Sequence, residues 1–200
     1  MRTFVALELP PEFTRPLAAA LVSVREQYLD FRWTGEENYH ITLAFLGEVD
    51  GRGVSILEKV LQETIQTAGP FSIRAGNIIV LPPQGPAHVI ALDIEKGKLE
   101  MRNLAACFEK NLAAIGEKEG YPFRKPEARP YTPHLTLARK GRTALKLSPD
   151  ERNWSINAHG VIRNVTLFKS DLYREGPRYT ALTIFPLGAS TKSPDTTPQG

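Results

Sequence analysis

The stretch Tyr39-His40-Ile41-Thr42-Leu43-Ala44-Phe45-Leu46-Gly47 alternates polar and apolar side chains, and a near copy, Pro133-His134-Leu135-Thr136-Leu137-Ala138-Arg139, places a second histidine 94 residues later. If each segment is a strand, the histidine and the threonine two residues on project from the same face. Each copy then presents an imidazole beside a hydroxyl. Two copies on facing surfaces would set one histidine on either side of a substrate, an arrangement suited to proton transfer in both directions.

Composition narrows the setting. Two hundred residues with 42% hydrophobic content suit one domain, or two small lobes sharing a core. The 25 basic and 22 acidic residues leave a net charge of +3, which permits an anionic ligand but falls short of a nucleic-acid footprint by itself. No apolar run approaches the roughly 20 residues of a membrane span, and Glu8 interrupts the apolar N-terminal stretch before a secretory core can form. A cytoplasmic protein is expected. The single cysteine, Cys107, has no internal disulfide partner and reads as a small apolar residue in a helix.

Taken in order, the chain predicts a strand over Arg2 to Leu9 and, after Pro10-Pro11, a helix from Glu12 to about Leu29 with Leu17, Leu21, Val24 and Tyr28 at helical spacing. The first His-x-Thr strand is followed by a helix over about Val54 to Thr67. Strands are expected from Phe71 to Val80 and from His88 to Ile94, separated by the turn Leu81-Pro82-Pro83-Gln84-Gly85-Pro86. A helix over Lys98 to Ile115 then leads into Gly116 to Pro130, read throughout as a polar loop, and into the second His-x-Thr strand. Val161 to Leu167 and Arg178 to Leu187 read as strands, with a loop over Ser170 to Pro177. The pattern is α+β, with sequential strands rather than a strict βαβ alternation. The echo of helix followed by His-x-Thr strand suggests two lobes with a cleft between them. Residues 1–187 form the expected domain, and 188–200, rich in Ser, Thr, Pro and Gly, an expected disordered tail.

Histidine is the side chain whose ordinary pKa, about 6.5, lets it give and take a proton near neutrality. One of the pair can activate water while the other protonates a departing alkoxide. Threonine hydroxyls and an arginine can hold the phosphate oxygens on which charge builds. Arg139, three residues after Thr136, has the opposite strand parity and reaches the cleft only if the strand ends or twists there. His88 and His159 lack the motif and read as structural, as does Trp33 as a core aromatic. Arg124, Lys125 and Arg129 read as solvated surface as readily as a steering rim.

With those residues in place, the paired motifs resemble the 2H phosphoesterase superfamily, and the chain is similar to the RNA 2′,3′-cyclic phosphodiesterases, also called 2′-5′ RNA ligases. The similarity runs from Arg2-Thr3-Phe4-Val5-Ala6-Leu7-Glu8-Leu9-Pro10 through Trp33 and both motifs to Val165-Thr166-Leu167-Phe168-Lys169-Ser170 and Gly176-Pro177-Arg178-Tyr179. The resemblance implies a bilobal α+β fold, with pseudo-symmetric antiparallel sheets lining a central cleft and helices outside. It implies hydrolysis of RNA 2′,3′-cyclic phosphate ends, tRNA fragments among them, to 2′-phosphates, without metal or cofactor and by a monomer. It casts His40 as general acid to O3′, His134 as general base to water, Thr42, Thr136 and Arg139 as phosphate ligands, and Phe45 as a contact to the terminal base. Reversal, with a 5′-hydroxyl in place of water, implies 2′-5′ ligation. Two departures from the family pattern, Val5 and Ala91, replace aromatic residues. Two other readings compete with this one: a 2H phosphoesterase acting on a small cyclic or 2′-5′-linked nucleotide, and a non-catalytic RNA-end binding module.

Overall fold

The computed structural model describes residues 1–29, 31–82, 88–123, 130–139, 156–173 and 176–188. In chain order they form β1 (Arg2–Glu8), α1 (Pro11–Ala20), α2 (Val22–Gln27), β2 (Arg32–Trp33), β3 (His40–Glu48), α3 (Gly51–Ile65), β4 (Phe71–Leu81), β5 (Val89–Lys96), α4 (Lys98–Glu119), β6 (His134–Arg139), β7 (His159–Ile162), β8 (Asn164–Tyr173) and β9 (Gly176–Pro186). Every strand pair is antiparallel, in the order β7-β4-β5-β6-β3-β1-β8-β9, with β2 added to β6. The two lobes are thus halves of one strongly curled sheet, and each motif strand ends its own half at the seam.

The seam is narrow. β3 and β6 share the single partner pair Ile41 and Leu135, and β2 occupies the edge of β6 from Ala138 to Arg139. The halves therefore diverge from this point and leave a cleft on one face. The opposite face carries Val5, Leu7, Ile41, Leu43, Leu135 and Leu137, all buried in the core with Leu57, Val60 and Leu61 of α3 and Met101, Leu104 and Phe108 of α4. Burying each such side chain contributes on the order of 1.5–3 kcal/mol, enough to commit the alternating pattern to one face.

Several boundaries differ from the sequence reading. The expected first helix is two, α1 and α2, divided at Leu21. α3 starts three residues early because the Asp50 carboxylate caps it, accepting from the Gly53 N–H at 2.8 Å. α4 runs through Gly116 to Glu119 and stops at Gly120, whose φ of 62° closes the helix in the left-handed region. Gly116 is carried inside the helix, and the Phe123 ring packs close over it: a Cβ there would stand 3.1 Å from that ring. The expected strand over Val161 to Leu167 is divided at Arg163 between β7, which pairs with β4, and β8, which pairs with β1. The expected loop over Ser170 to Pro177 is largely strand, because β8 and β9 stay paired out to Tyr173 and Gly176. The Gly188 N–H donates to the Ala68 carbonyl at 2.8 Å, while the rest of the expected tail, 189–200, lies outside the described residues, as do 83–87, 124–129 and 140–155.

Candidate active site

Antiparallel strands carry a local two-fold axis through each partner pair. The pair Ile41 and Leu135 has the same sequence offset as the two motifs, so its axis carries His40 onto His134 and Thr42 onto Thr136. Because Ile41 and Leu135 are buried on the core side, the histidines and threonines flanking them face the cleft.

Both imidazoles are held in the same way. His40 Nδ1 lies 2.7 Å from the Asn38 carbonyl oxygen, and His134 Nδ1 lies 2.8 Å from that of Thr132, each two residues upstream. A carbonyl only accepts, so Nδ1 carries the proton in each ring and Nε2 is the site of proton gain and loss. His40 Nε2 is 3.1 Å from Thr42 Oγ1, whose hydroxyl donates to the neutral ring. Thr42 is itself fixed across the seam, its carbonyl accepting from the Tyr131 hydroxyl at 3.0 Å. The approach to His40 is tied down by Arg25, which donates to the Tyr39 hydroxyl at 2.9 Å and to the Thr34 carbonyl at 3.2 Å.

A β-bulge brings in the residue that parity alone would turn away. Ile90 and Ala91 of β5 pair with Ala138 and Thr136, so Leu137 is an extra residue in β6. Leu137 and Ala138 are both buried, and Arg139 returns to the cleft face of Thr136. β3 has the equivalent bulge: Val5 and Ala6 pair with Ala44 and Thr42, so Leu43 is extra, and Phe45 returns opposite Phe4. Phe45 and Arg139 therefore occupy corresponding positions. Phe45 is 58% exposed, which leaves its ring available, and Arg139 makes no ion pair among the described residues.

Three aromatic residues that the sequence reading assigned no role enclose His40. Its ring centroid lies 5.0 Å from that of Phe4 and 5.1 Å from that of Tyr179, the latter edge-on, while Phe168 stacks on Phe4 at 5.2 Å. Burial among these groups holds the His40 pKa below the ordinary imidazole value, and the charges of Arg139 and His134 press in the same direction against the opposing Asn38 carbonyl. Burial also raises the Tyr179 phenol. The signal for this wall is the Phe4 and Phe168 register across β1 and β8, which no local periodicity reveals.

The remaining candidates fall elsewhere. Trp33 is half-buried against the core, donates from Nε1 to the Tyr28 carbonyl at 3.1 Å and lies 5.7 Å from the Arg25 guanidinium, a structural role. His159 is exposed on β7, and Cys107 is half-buried on α4. Val5 points into the helix-covered core, so only the second departure, Ala91 beside Thr136, bears on the cleft. Among the described residues no group of three or more His, Cys, Asp or Glu is placed to hold a metal ion, and no helix is long and apolar enough to cross a membrane.

Two Nδ1-tethered imidazoles, paired hydroxyls and a guanidinium with no ion pair among the described residues thus lie on one face of a curled antiparallel sheet, a set of groups able to exchange protons and to hold an anion. A family profile described as "LigT like Phosphoesterase" matches residues 7–91. A Bacillus subtilis (strain 168) protein named RNA 2′,3′-cyclic phosphodiesterase is 34% identical over 138 residues, covering 68% of this chain and 70% of that one. An Archaeoglobus fulgidus protein of the same name is 29% identical over 190 residues, covering 92% and 99%. A crystal structure from Thermus thermophilus matches the fold with a TM-score of 0.78 at 27% identity, covering 94% and 98%. The chain belongs to the LigT-like phosphoesterase family, among the relatives named RNA 2′,3′-cyclic phosphodiesterase.

Proposed function

We propose that this chain hydrolyses the 2′,3′-cyclic phosphate at an RNA end to a 2′-phosphate, with His134 as general base and His40 as general acid. The observation that carries the reading is the twofold-related pair of Nδ1-tethered histidines, each with Nε2 toward the cleft. His134 Nε2 takes a proton from water as its oxygen attacks phosphorus. The P–O3′ bond breaks, His40 Nε2 delivers its proton to O3′, and phosphate remains on O2′. Thr42, Thr136 and Arg139 hold the nonbridging oxygens, on which charge increases in the transition state. Phe45 supports the terminal base by stacking, which tolerates any base.

The depressed pKa of His40 fits this division. A poorly solvated imidazole gives up its proton readily, and the anionic phosphate supplies the counter-charge that lets it be protonated in the complex. With a 5′-hydroxyl in place of water as the attacking nucleophile, the same transfers break P–O3′ and form a 2′-5′ linkage. Only a ribose with its 2′-oxygen supports either reaction.

The test is incubation of EDTA-treated protein with an oligonucleotide bearing a 2′,3′-cyclic phosphate, followed by identification of the product isomer. A 2′-phosphate is expected. A 3′-phosphate would reverse the leaving oxygen, and turnover of small cyclic nucleotides with none of RNA ends would replace the substrate class.

A further inference from the structure

β8 and β9 outrun the strand they flank. The pairing of β1 with β8 reaches Thr3 with Lys169, whereas β8 and β9 continue through Ser170–Tyr179, Asp171–Arg178, Leu172–Pro177 and Tyr173–Gly176. Strand alternation from Phe4 and Phe168 places Arg2, Tyr179, Leu172 and Pro177 on the cleft side of this overhang, and Lys169, Asp171, Arg178 and Tyr173 on the other.

The two sides differ in how their charges are used. On the outer side Lys169 pairs with Asp171 at 2.9 Å, and the Arg178 guanidinium lies over the Tyr173 ring at 4.8 Å. On the cleft side Arg2 is exposed and makes no ion pair among the described residues. Its register partner Glu48 is engaged by the Met1 amino group at 3.1 Å. The charges of Arg139 and Arg2 both act to lower the Tyr179 phenol's pKa, against the larger upward push of its burial. Leu172, at 67% exposure, stands beyond Tyr179 with Pro177 as its partner. Arg2 is two residues, about 7 Å along an extended strand, from the Phe4 that touches His40. One step of a ribose-phosphate chain leaving the reacting nucleotide meets first a cation and then an apolar shelf.

We propose that this overhang is a subsite for the penultimate nucleotide of a single-stranded substrate, with the linking phosphate on Arg2 and the nucleoside on Leu172 and Pro177. The assignment rests on the phosphodiesterase reading for the direction in which the chain leaves the site. A cation with no ion pair among the described residues, beside the Tyr179 ring and an apolar surface, offers a strand's phosphate and its base the charge and the non-polar face by which single strands are bound. The subsite makes the enzyme selective for oligonucleotide ends over cyclic mononucleotides.

The experiment compares kcat/KM for a nucleoside 2′,3′-cyclic phosphate and a dinucleotide with the same terminus, alongside Kd for the corresponding 2′-phosphate products. The dinucleotide is expected to have a kcat/KM about tenfold higher and its product a Kd about tenfold lower than the mononucleotide. The extra phosphate steepens the salt dependence of binding by a log-log slope of about 0.7. Arg2→Gln and Leu172→Ser should each bring the dinucleotide-to-mononucleotide ratio toward one, and Arg2→Gln should remove the added salt slope. Arg178→Gln, on the outer side, should leave the ratio as it is. Equal values for the two lengths, or a ratio indifferent to Arg2→Gln, would overturn the subsite. Turnover of neither substrate, with the affinity ratio intact, would overturn the assigned reaction and leave the subsite supported.

Discussion

The two His-x-Thr strands share a backbone plan and differ in what surrounds it. Both tether Nδ1 to a carbonyl two residues back, and both carry a bulge at the leucine after threonine. The position restored to the cleft by that bulge is a phenyl ring in β3 and a guanidinium in β6. His40 is walled by Phe4 and Tyr179, while among the described residues no ring packs on His134. A symmetric scaffold thus presents chemically unlike sides to a substrate whose leaving oxygen and attacking water are also unlike. In the proposed reaction symmetry supplies two proton-transfer groups, and its breaking gives them different tasks.

The largest effects test the shared plan. His40→Ala and His134→Ala should each lower kcat roughly 10²–10⁴-fold while circular dichroism remains native. Replacing O3′ by sulfur then separates the roles, because a thiolate leaves without a proton. The 3′-thio substrate should restore most of the activity of His40→Ala and little of that of His134→Ala; the opposite pattern would exchange acid and base. At the bulge position, Arg139→Ala should cost on the order of 10²-fold in kcat, and a change confined to KM would show that Arg139 binds without stabilising charge in the transition state.

Smaller effects test the broken symmetry. Burial keeps the free-enzyme pKa of His40 below about 6.5, so the ring gains its proton only as pH falls through that lower value. Tyr179→Ala admits water and should move the His40 titration, read from its ring proton resonances, upward in pH; an unmoved midpoint would remove Tyr179 from the cause. The same linkage has a defined sign for the fold. The native state binds this proton less readily than the unfolded chain, so stability falls as pH drops from the unfolded-state value toward the native one. Phe45→Ala should have the smallest effect, a rise of about five- to tenfold in KM with kcat little changed, since half-exposed stacking adds binding without touching the reacting atoms.

Much of the site was legible in the residues themselves. Alternation around Ile41 and Leu135 commits His40, Thr42, His134 and Thr136 to one face, and the repetition of the motif marks them as a pair. The placement of Arg139 was not legible. Its parity pointed away from the cleft, and a bulge is defined by the partner strand, here Ile90 and Ala91, as much as by its own sequence. The β8–β9 hairpin is hidden for a similar reason: Ser170 to Pro177 lacks strand periodicity, and its order comes from mutual pairing. The helical extension past Ile115 was obscured by Gly116, which reads as a breaker in isolation but sits within α4 with the Phe123 ring packed close over it.

Local chain chemistry by itself therefore determined an α+β protein with two imidazole-and-hydroxyl strands, because side-chain alternation and helical spacing depend only on neighbours in sequence. Tertiary structure decided that the motifs meet at Ile41 and Leu135 about a common axis. It also decided that bulges turn Phe45 and Arg139 inward and that Phe4, Phe168 and Tyr179 close around one histidine. Those outcomes depend on register between strands distant in the chain, and register is set only when the whole sheet buries its apolar face at once.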